Sequence, residues 1–205
     1  VVATQLYVVN WKMIIENLMD KNKLLKKLNT TMSSCSKCAL RKGCNRVVFG
    51  AGNPKAKILF IGEAPGKKED ELGVPFVGAA GKFLDEMLAS IKLKREDVYI
   101  ANVCKCRPPE NRDPLLEEIK ACWPWLLKQI EIINPKIIVT LGRHSLNRFL
   151  PTAKISEAHG KVFEINIAKT GKRKVFALYH PAAALYNGSM RKTLKNDFRK
   201  ILRLI

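Results

Sequence analysis

Four short runs rich in isoleucine and valine, KILFIG (57–62), DVYIAN (97–102), KIIVTLG (136–142) and KVFALYH (174–180), recur along the chain, each bounded by turn-forming residues. Apolar runs of that length without strict alternation suit strands buried on both faces. Between them lie the helical patterns GKFLDEMLASI (81–91), PLLEEIKACWPWLLKQIEII (114–133) and HSLNRFL (144–150). This alternation predicts an α/β fold, a three-layer α/β/α sandwich around a mostly parallel central sheet. Pro114 is expected in the first turn of its helix, and Pro124 is expected to kink or split that helix. KVFEINIAKTGKRKVFALYH (161–180) reads as a hairpin with AKTGKRK at its turn. RKTLKNDFRKILRLI (191–205) reads as a basic amphipathic helix.

In such sheets ligands bind just outside the carboxyl ends of the strands. The residues that follow these runs are GEAPG, NVCKC, GRHS and HPAA, so the chemically loaded segments are expected to converge on one site. GEAPGK and GAAGK look like phosphate loops. The first has one residue too few between its glycines, and the second continues into Phe83, so neither supports nucleotide binding. A glycine turn opening a helix still offers backbone N–H groups to an anion, and a DNA phosphate would serve.

The chain carries 37 Lys and Arg against 18 Asp and Glu, a net charge of +19. That excess favours a polyanionic partner, nucleic acid before an anionic membrane surface. No stretch reaches the ~18 apolar residues of a membrane span, and VVATQLYVV (1–9) lacks the basic start and cleavage site of a signal peptide. The protein is expected in the cytoplasm, associated with the nucleoid. Met13 opens a better helix, MIIENLMDKNKLLKKL, so residues 1–12 read as an upstream extension. The domain division expected is 1–32 as N-terminal extension and helix, and 33–205 as one domain.

In an intracellular setting six cysteines point to metal or redox use rather than disulfides. The two-residue spacing of Cys35 and Cys38 in CSKC lets two thiolates grip one metal from a tight turn. Cys106 and Cys122 are farther apart, and Cys44 and Cys104 read more simply as buried apolar residues. Spacing alone suits zinc and an iron–sulfur cluster equally.

Taken together, GEAPGKKEDELGVPFVGAAGKFLDEML, NVCKCRPPENRDP, the cysteine set and HPAA resemble the family 4 uracil-DNA glycosylases, iron–sulfur repair enzymes of archaea and thermophilic bacteria. The likeness runs from about Cys35 to the C-terminal helix. It implies hydrolysis of the N-glycosidic bond of deoxyuridine, flipped out of single- or double-stranded DNA, by a monomeric, monofunctional enzyme that leaves an abasic site. It also implies a structural [4Fe-4S] cluster, with ligands falling by motif on Cys35, Cys38, Cys106 and Cys122.

A base within a duplex must be flipped into a pocket and read by stacking and by its hydrogen-bonding edge. Phe76 is placed to stack on uracil, and the Asn102 amide matches uracil O4 and N3–H. By resemblance, Glu63 lines the pocket near uracil C5, where it could exclude the thymine methyl. His180 could donate to uracil O2 and stabilise the departing anion. The best-known uracil glycosylases carry an aspartate where this chain has Ala64. The family pattern leaves Glu69 and Asn111 as candidates for activating water, beside a dissociative route that needs little base. For DNA contact, Gly78, Gly81 and Lys82 open a helix, Leu185 or its neighbour Tyr186 fills the gap left by the flipped base, and Arg191 and Lys192 meet phosphates.

Three other readings compete. A non-enzymatic nucleic-acid-binding module on a four-cysteine metal site gives no reason for Glu63, Asn102 and His180 at three strand ends. An electron-transfer protein fits a net charge of +19 poorly. A covalent uracil-DNA-trapping relative would use His159, although the long basic loop of such proteins is missing. QLYVVNWK (5–12) begins with the glutamine of a sliding-clamp motif but lacks the paired aromatics.

Overall fold

The computed structural model describes residues 20–168 and 170–205. QLYVVNWK, with the rest of residues 1–19, lies outside them. Helix α1 occupies 20–33. It is followed by α2 (Leu40–Gly43), β1 (Ala51–Gly52), β2 (Ile58–Gly62), α3 (Lys67–Leu72), α4 (Ala79–Ser90) and β3 (Tyr99–Asn102). Then come α5 (Leu116–Ile133), β4 (Ile137–Leu141), α6 (Arg143–Leu146), α7 (Ile155–Ala158), β5 (Val162–Ile167), β6 (Gly171–Leu178), α8 (Ala183–Tyr186) and α9 (Met190–Arg199).

The six strands form one sheet in the order β1-β3-β2-β4-β6-β5. The four Ile/Val-rich runs are its parallel centre, and β1 and β5 close the two edges antiparallel. β2 is flanked by β3 on one side and β4 on the other, so the chain reverses direction across the sheet there, which makes its carboxyl end a switch point where ligands bind.

Side-chain alternation divides the core between the two faces. Leu59 and Ile61 of β2 join Tyr99, Ala101, Ile138 and Val175 beneath α1 and α5. Ile58 and Phe60 join Ile100, Val139 and Phe176 beneath α4 and α9, where the Phe60 and Phe198 rings stack at 5.5 Å. This is the expected three-layer sandwich. Leu25 and Met32 of α1 are buried in the first core, and Lys21 Nζ donates to the Ile133 carbonyl at 2.9 Å. The described part of the N-terminal helix thus packs as part of the domain. Among the described residues no helix is long and apolar enough to cross a membrane.

Several local expectations change. α5 runs unbroken through Pro124. The proline ring takes a solvent-facing position, while Ile119, Cys122, Leu126 and Ile130 hold the helix on the sheet. Pro114 lies before the helix, because Leu115 caps it and the Leu115 N–H donates to Glu118 Oε2 at 2.8 Å. In the hairpin, β6 begins at Gly171, so Lys172, Arg173 and Lys174 pair with β5 rather than turning. HSLNRFL forms only the short α6 and a turn, and α9 gives way to a 3₁₀ turn at Lys200.

Candidate active site

A cavity of about 490 Å³ opens at the carboxyl ends of β2, β3 and β6. Glu63, Ala64, Glu69, Phe76, Asn102, Asn111 and His180 all line it, together with Pro108, Arg112, Asp113 and Tyr186. Residues from four separate segments are therefore brought to one pocket.

Asn102 ends β3 directly across from Gly62 at the end of β2. It is 2% exposed, and its Oδ1 has no hydrogen-bond partner among the described residues. A buried amide oxygen left without a partner is costly, so it marks a place where a ligand donor belongs. A Cβ at Gly62 would collide with that oxygen and would lie 2.6 Å from Phe76 Cζ. Only a glycine leaves the amide and the ring room side by side.

Phe76 sits at φ 55°, a left-handed conformation that costs a bulky residue about 1–2 kcal/mol. Its ring faces His180, with centroids 5.6 Å apart. Gly81, in the first turn of α4, packs under the Phe76 carbonyl so closely that any side chain there would overlap it.

The half-buried His180 accepts the Ala182 N–H at Nδ1, 3.2 Å away. Burial lowers its pKa to about 4, against a smaller opposing pull from Glu69. The ring is therefore neutral at physiological pH with its proton on Nε2. Glu63 behaves in the opposite way. Burial, reinforced by Asp113, raises its pKa to about 7, although Arg143 pulls it down.

Glu69 Oε1 accepts the N–H groups of Val77 and Gly78, both at 2.8 Å. The anion held at the start of α4 is thus the protein's own carboxylate, and the Gly78 amide is committed to it. Among the described residues Oε2 has no hydrogen-bond donor. Asn111, with Glu110, adopts a left-handed backbone in the loop after β3, and its Oδ1 accepts the Arg107 Nε–H at 2.8 Å. The same loop is fastened at its far end by Arg112, which grips Glu118 with two bonds of 2.7 and 2.9 Å. That pairing holds the buried Glu118 carboxyl below its usual range.

Sequence reasoning passed over Asp113, Arg143 and His144. Arg143 Nη2 donates to Asp113 Oδ2 at 2.7 Å, and its Nε donates to His144 Nε2 at 2.8 Å. His144 Nε2 lies 3.8 Å from Glu63 Oε2, and burial lowers the pKa of this histidine. The GRHS segment at the end of β4 was the only signal for it. Its partner lies some thirty residues away.

The residues expected on DNA lie around the cavity rather than in it. Lys82 and Lys192 are exposed and have no acidic partner among the described residues. Arg191 is bound to Glu86 at 2.6 Å and covers the Phe83 ring. Leu185 is 46% exposed, whereas Tyr186 is 92% exposed and stands on the cavity rim. His159 is outside the cavity lining, with Nδ1 2.6 Å from Asp197 Oδ2 and its ring against Tyr179.

All six cysteines are free and pack around one core. Cys35 and Cys38 come from the turn between α1 and α2, Cys106 from the loop after β3, and Cys122 from α5. The Lys105 N–H donates to Cys122 Sγ at 3.3 Å. Burial raises the Cys38 and Cys106 thiols, and the neighbouring cysteines add to both shifts. Lys105 is itself buried, its ammonium on Gln129 Oε1 and the Phe49 carbonyl. Four thiols drawn from three segments into one core are soft donors of the kind that a zinc or iron–sulfur centre takes.

The family model of the uracil DNA glycosylase superfamily matches residues 49–204. A type-4 uracil-DNA glycosylase of Archaeoglobus fulgidus is 54% identical over 174 residues, which is 82% of this chain and 86% of that protein. One from Sulfurisphaera tokodaii is 50% identical, covering 88% of this chain and 84% of the relative. One from Thermotoga maritima is 43% identical, covering 89% and 95%.

Proposed function

Since this chain belongs to the uracil DNA glycosylase superfamily, with type-4 enzymes among its relatives, we propose that it removes uracil from DNA by hydrolysing the N-glycosidic bond of a flipped deoxyuridine, leaving an abasic site for base excision repair. The observation that carries this reading is the buried, unpartnered Asn102 Oδ1, which opens on the cavity beside Phe76 and His180.

Uracil enters the cavity and stacks on Phe76. Asn102 Oδ1 accepts uracil N3–H, and its NH₂ donates to O4, which satisfies the orphaned oxygen. As the bond from N1 to the sugar lengthens, electrons move onto the base and the sugar becomes cationic. The neutral His180 donates from Nε2 to O2 and holds the developing anion, strengthening as the charge grows. A protonated Glu63 beside C5 adds no negative charge next to that anion and leaves no room for a methyl group. Water adds to the sugar carbon, oriented by the Asn111 amide, and its proton passes to Glu69 Oε2. With Ala64 in place of an aspartate, Glu69 is the carboxylate left to take it.

Cys35, Cys38, Cys106 and Cys122 would hold a [4Fe-4S] cluster. Bound there, it supplies a structural cross-link between the N-terminal turn, α5 and the loop that carries Asn102 and Asn111. Hydrolysis of the glycosidic bond consumes no electron. The +19 charge supports binding to uracil-containing DNA, single- or double-stranded. The exposed Lys82 and Lys192, with Leu185 and Tyr186 as the wedge, are the DNA-contacting residues. The enzyme acts as a monomer in the cytoplasm, associated with the nucleoid.

The test is a labelled DNA strand carrying one uracil, incubated with the protein and then treated with alkali. Scission at uracil that depends on alkali, with a thymine strand untouched, is the expected result. Tight DNA binding without scission would instead mark a binding module. A shifted band that resists denaturation would mark covalent capture.

A further inference from the structure

Arg95 stands outside the cavity, in the 3₁₀ turn that leads into β3. Its guanidinium nonetheless reaches the segment that presents Phe76. Nη1 donates to the Pro75 carbonyl at 3.1 Å, and Nη2 donates to the Phe76 carbonyl itself. Nε is fixed by Asp85 Oδ1 of α4 at 2.6 Å, and Asp85 Oδ2 lies 3.3 Å from Nη2. The planar fork thus spans two consecutive carbonyls on one side and one carboxylate on the other, which a lysine cannot do.

This clamp acts on a bulky pocket residue whose backbone is unfavourable in isolation. Phe76 is left-handed at φ 55°. Relaxing it to an ordinary conformation would swing the ring away from His180 and the Asn102 amide. The Gly81 contact prevents the Phe76 carbonyl from moving toward α4. Arg95 pulls on the same carbonyl by hydrogen bonding, and Asp85 ties the pull to α4. A strained residue persists only where its surroundings over-determine it, and these three groups do so.

We propose that Arg95 is a positioning residue for base recognition: held by Asp85, it locks Phe76 in the left-handed conformation that presents the ring to the flipped base. The inference rests on the glycosylase reading of the cavity. Arg95 touches neither base nor sugar, and its effect passes entirely through Phe76.

The experiment measures single-turnover uracil release and inhibition by free uracil for the unmodified protein, Arg95→Ala, Arg95→Lys, Phe76→Ala and the double variant Arg95→Ala/Phe76→Ala. Arg95→Ala is expected to weaken inhibition by free uracil about tenfold and to slow release by a similar factor. Binding of a uracil-free duplex should stay unchanged. In the Phe76→Ala background, removing Arg95 should cost little more, because the ring it positions is gone. Arg95→Lys should behave as Arg95→Ala, and it carries the test if the alanine variant fails to fold. Losses that multiply in the double variant, or full recovery with lysine, would overturn the role of Arg95. An unmodified protein that releases no uracil would instead overturn the reading of the cavity.

Discussion

Gly62 and Asn102 face each other across the parallel pairing of β2 and β3, and the glycine leaves open the space that the asparagine amide oxygen occupies. In the proposed recognition of the base, a missing side chain counts as much as those present. Gly62→Ala should leave the sheet register intact, displace Asn102 and Phe76 together, and reduce single-turnover uracil release by at least about a hundredfold. A far-UV spectrum and melting curve near those of the parent would separate this loss from unfolding.

His180 titrates far below a free histidine, at about 4 rather than 6.5. Between those values the unfolded chain binds a proton that the folded chain refuses. Its contribution to stability is therefore complete above pH 6.5 and is lost as pH falls toward 4. The full effect is no more than about 3 kcal/mol. Acid melts of the parent and of His180→Asn should converge as the pH drops across that window. The acid limb of uracil release should likewise fall near pH 4 and not near 6.5.

Glu63 carries the opposite sign. Its folded pKa of about 7 lies above the ordinary 4.5. The stabilisation is complete below pH 4.5 and is lost as pH rises through 7, again by no more than about 3 kcal/mol. Glu63→Gln should therefore melt higher than the parent at pH 8 and similarly at pH 4.5. The same substitution should remove the alkaline limb of uracil release if the protonated carboxyl is the working form. Melting curves and release rates at the two pH values check both outcomes.

On the proposed ligand set, the cysteines divide into two groups that iron analysis can tell apart. Cys122→Ala and Cys106→Ala should lose the iron and visible absorbance of the purified protein. Cys44→Ala should retain both, as should Cys104→Ala. Unchanged iron in Cys122→Ala would remove that residue from the ligand set.

Much of the fold was legible because the four central strands are apolar on both faces, a pattern that edges and loops do not imitate. β1 was not legible. It is two residues long and exists only by pairing with β3. Pro124 misled because local rules give a proline the power to split a helix, whereas the row Ile119, Cys122, Leu126 and Ile130 is anchored to the sheet on both sides of it. Asn102 and His180 were readable as polar residues at strand ends, and Phe76 through the motif around it; all three line the cavity. Arg95 was not, since two of its partners are backbone carbonyls, which every residue possesses. The Asp113–Arg143–His144 cluster escaped for a related reason: it is made where the loop before α5 meets the end of β4, not by any spacing along the chain.

Asn102 and Cys106 lie four residues apart on one continuous stretch, with Lys105 buried between them and the core. A single short length of backbone therefore couples thiol chemistry to the pocket: whatever moves Cys106 pulls on the strand end that holds the Asn102 amide.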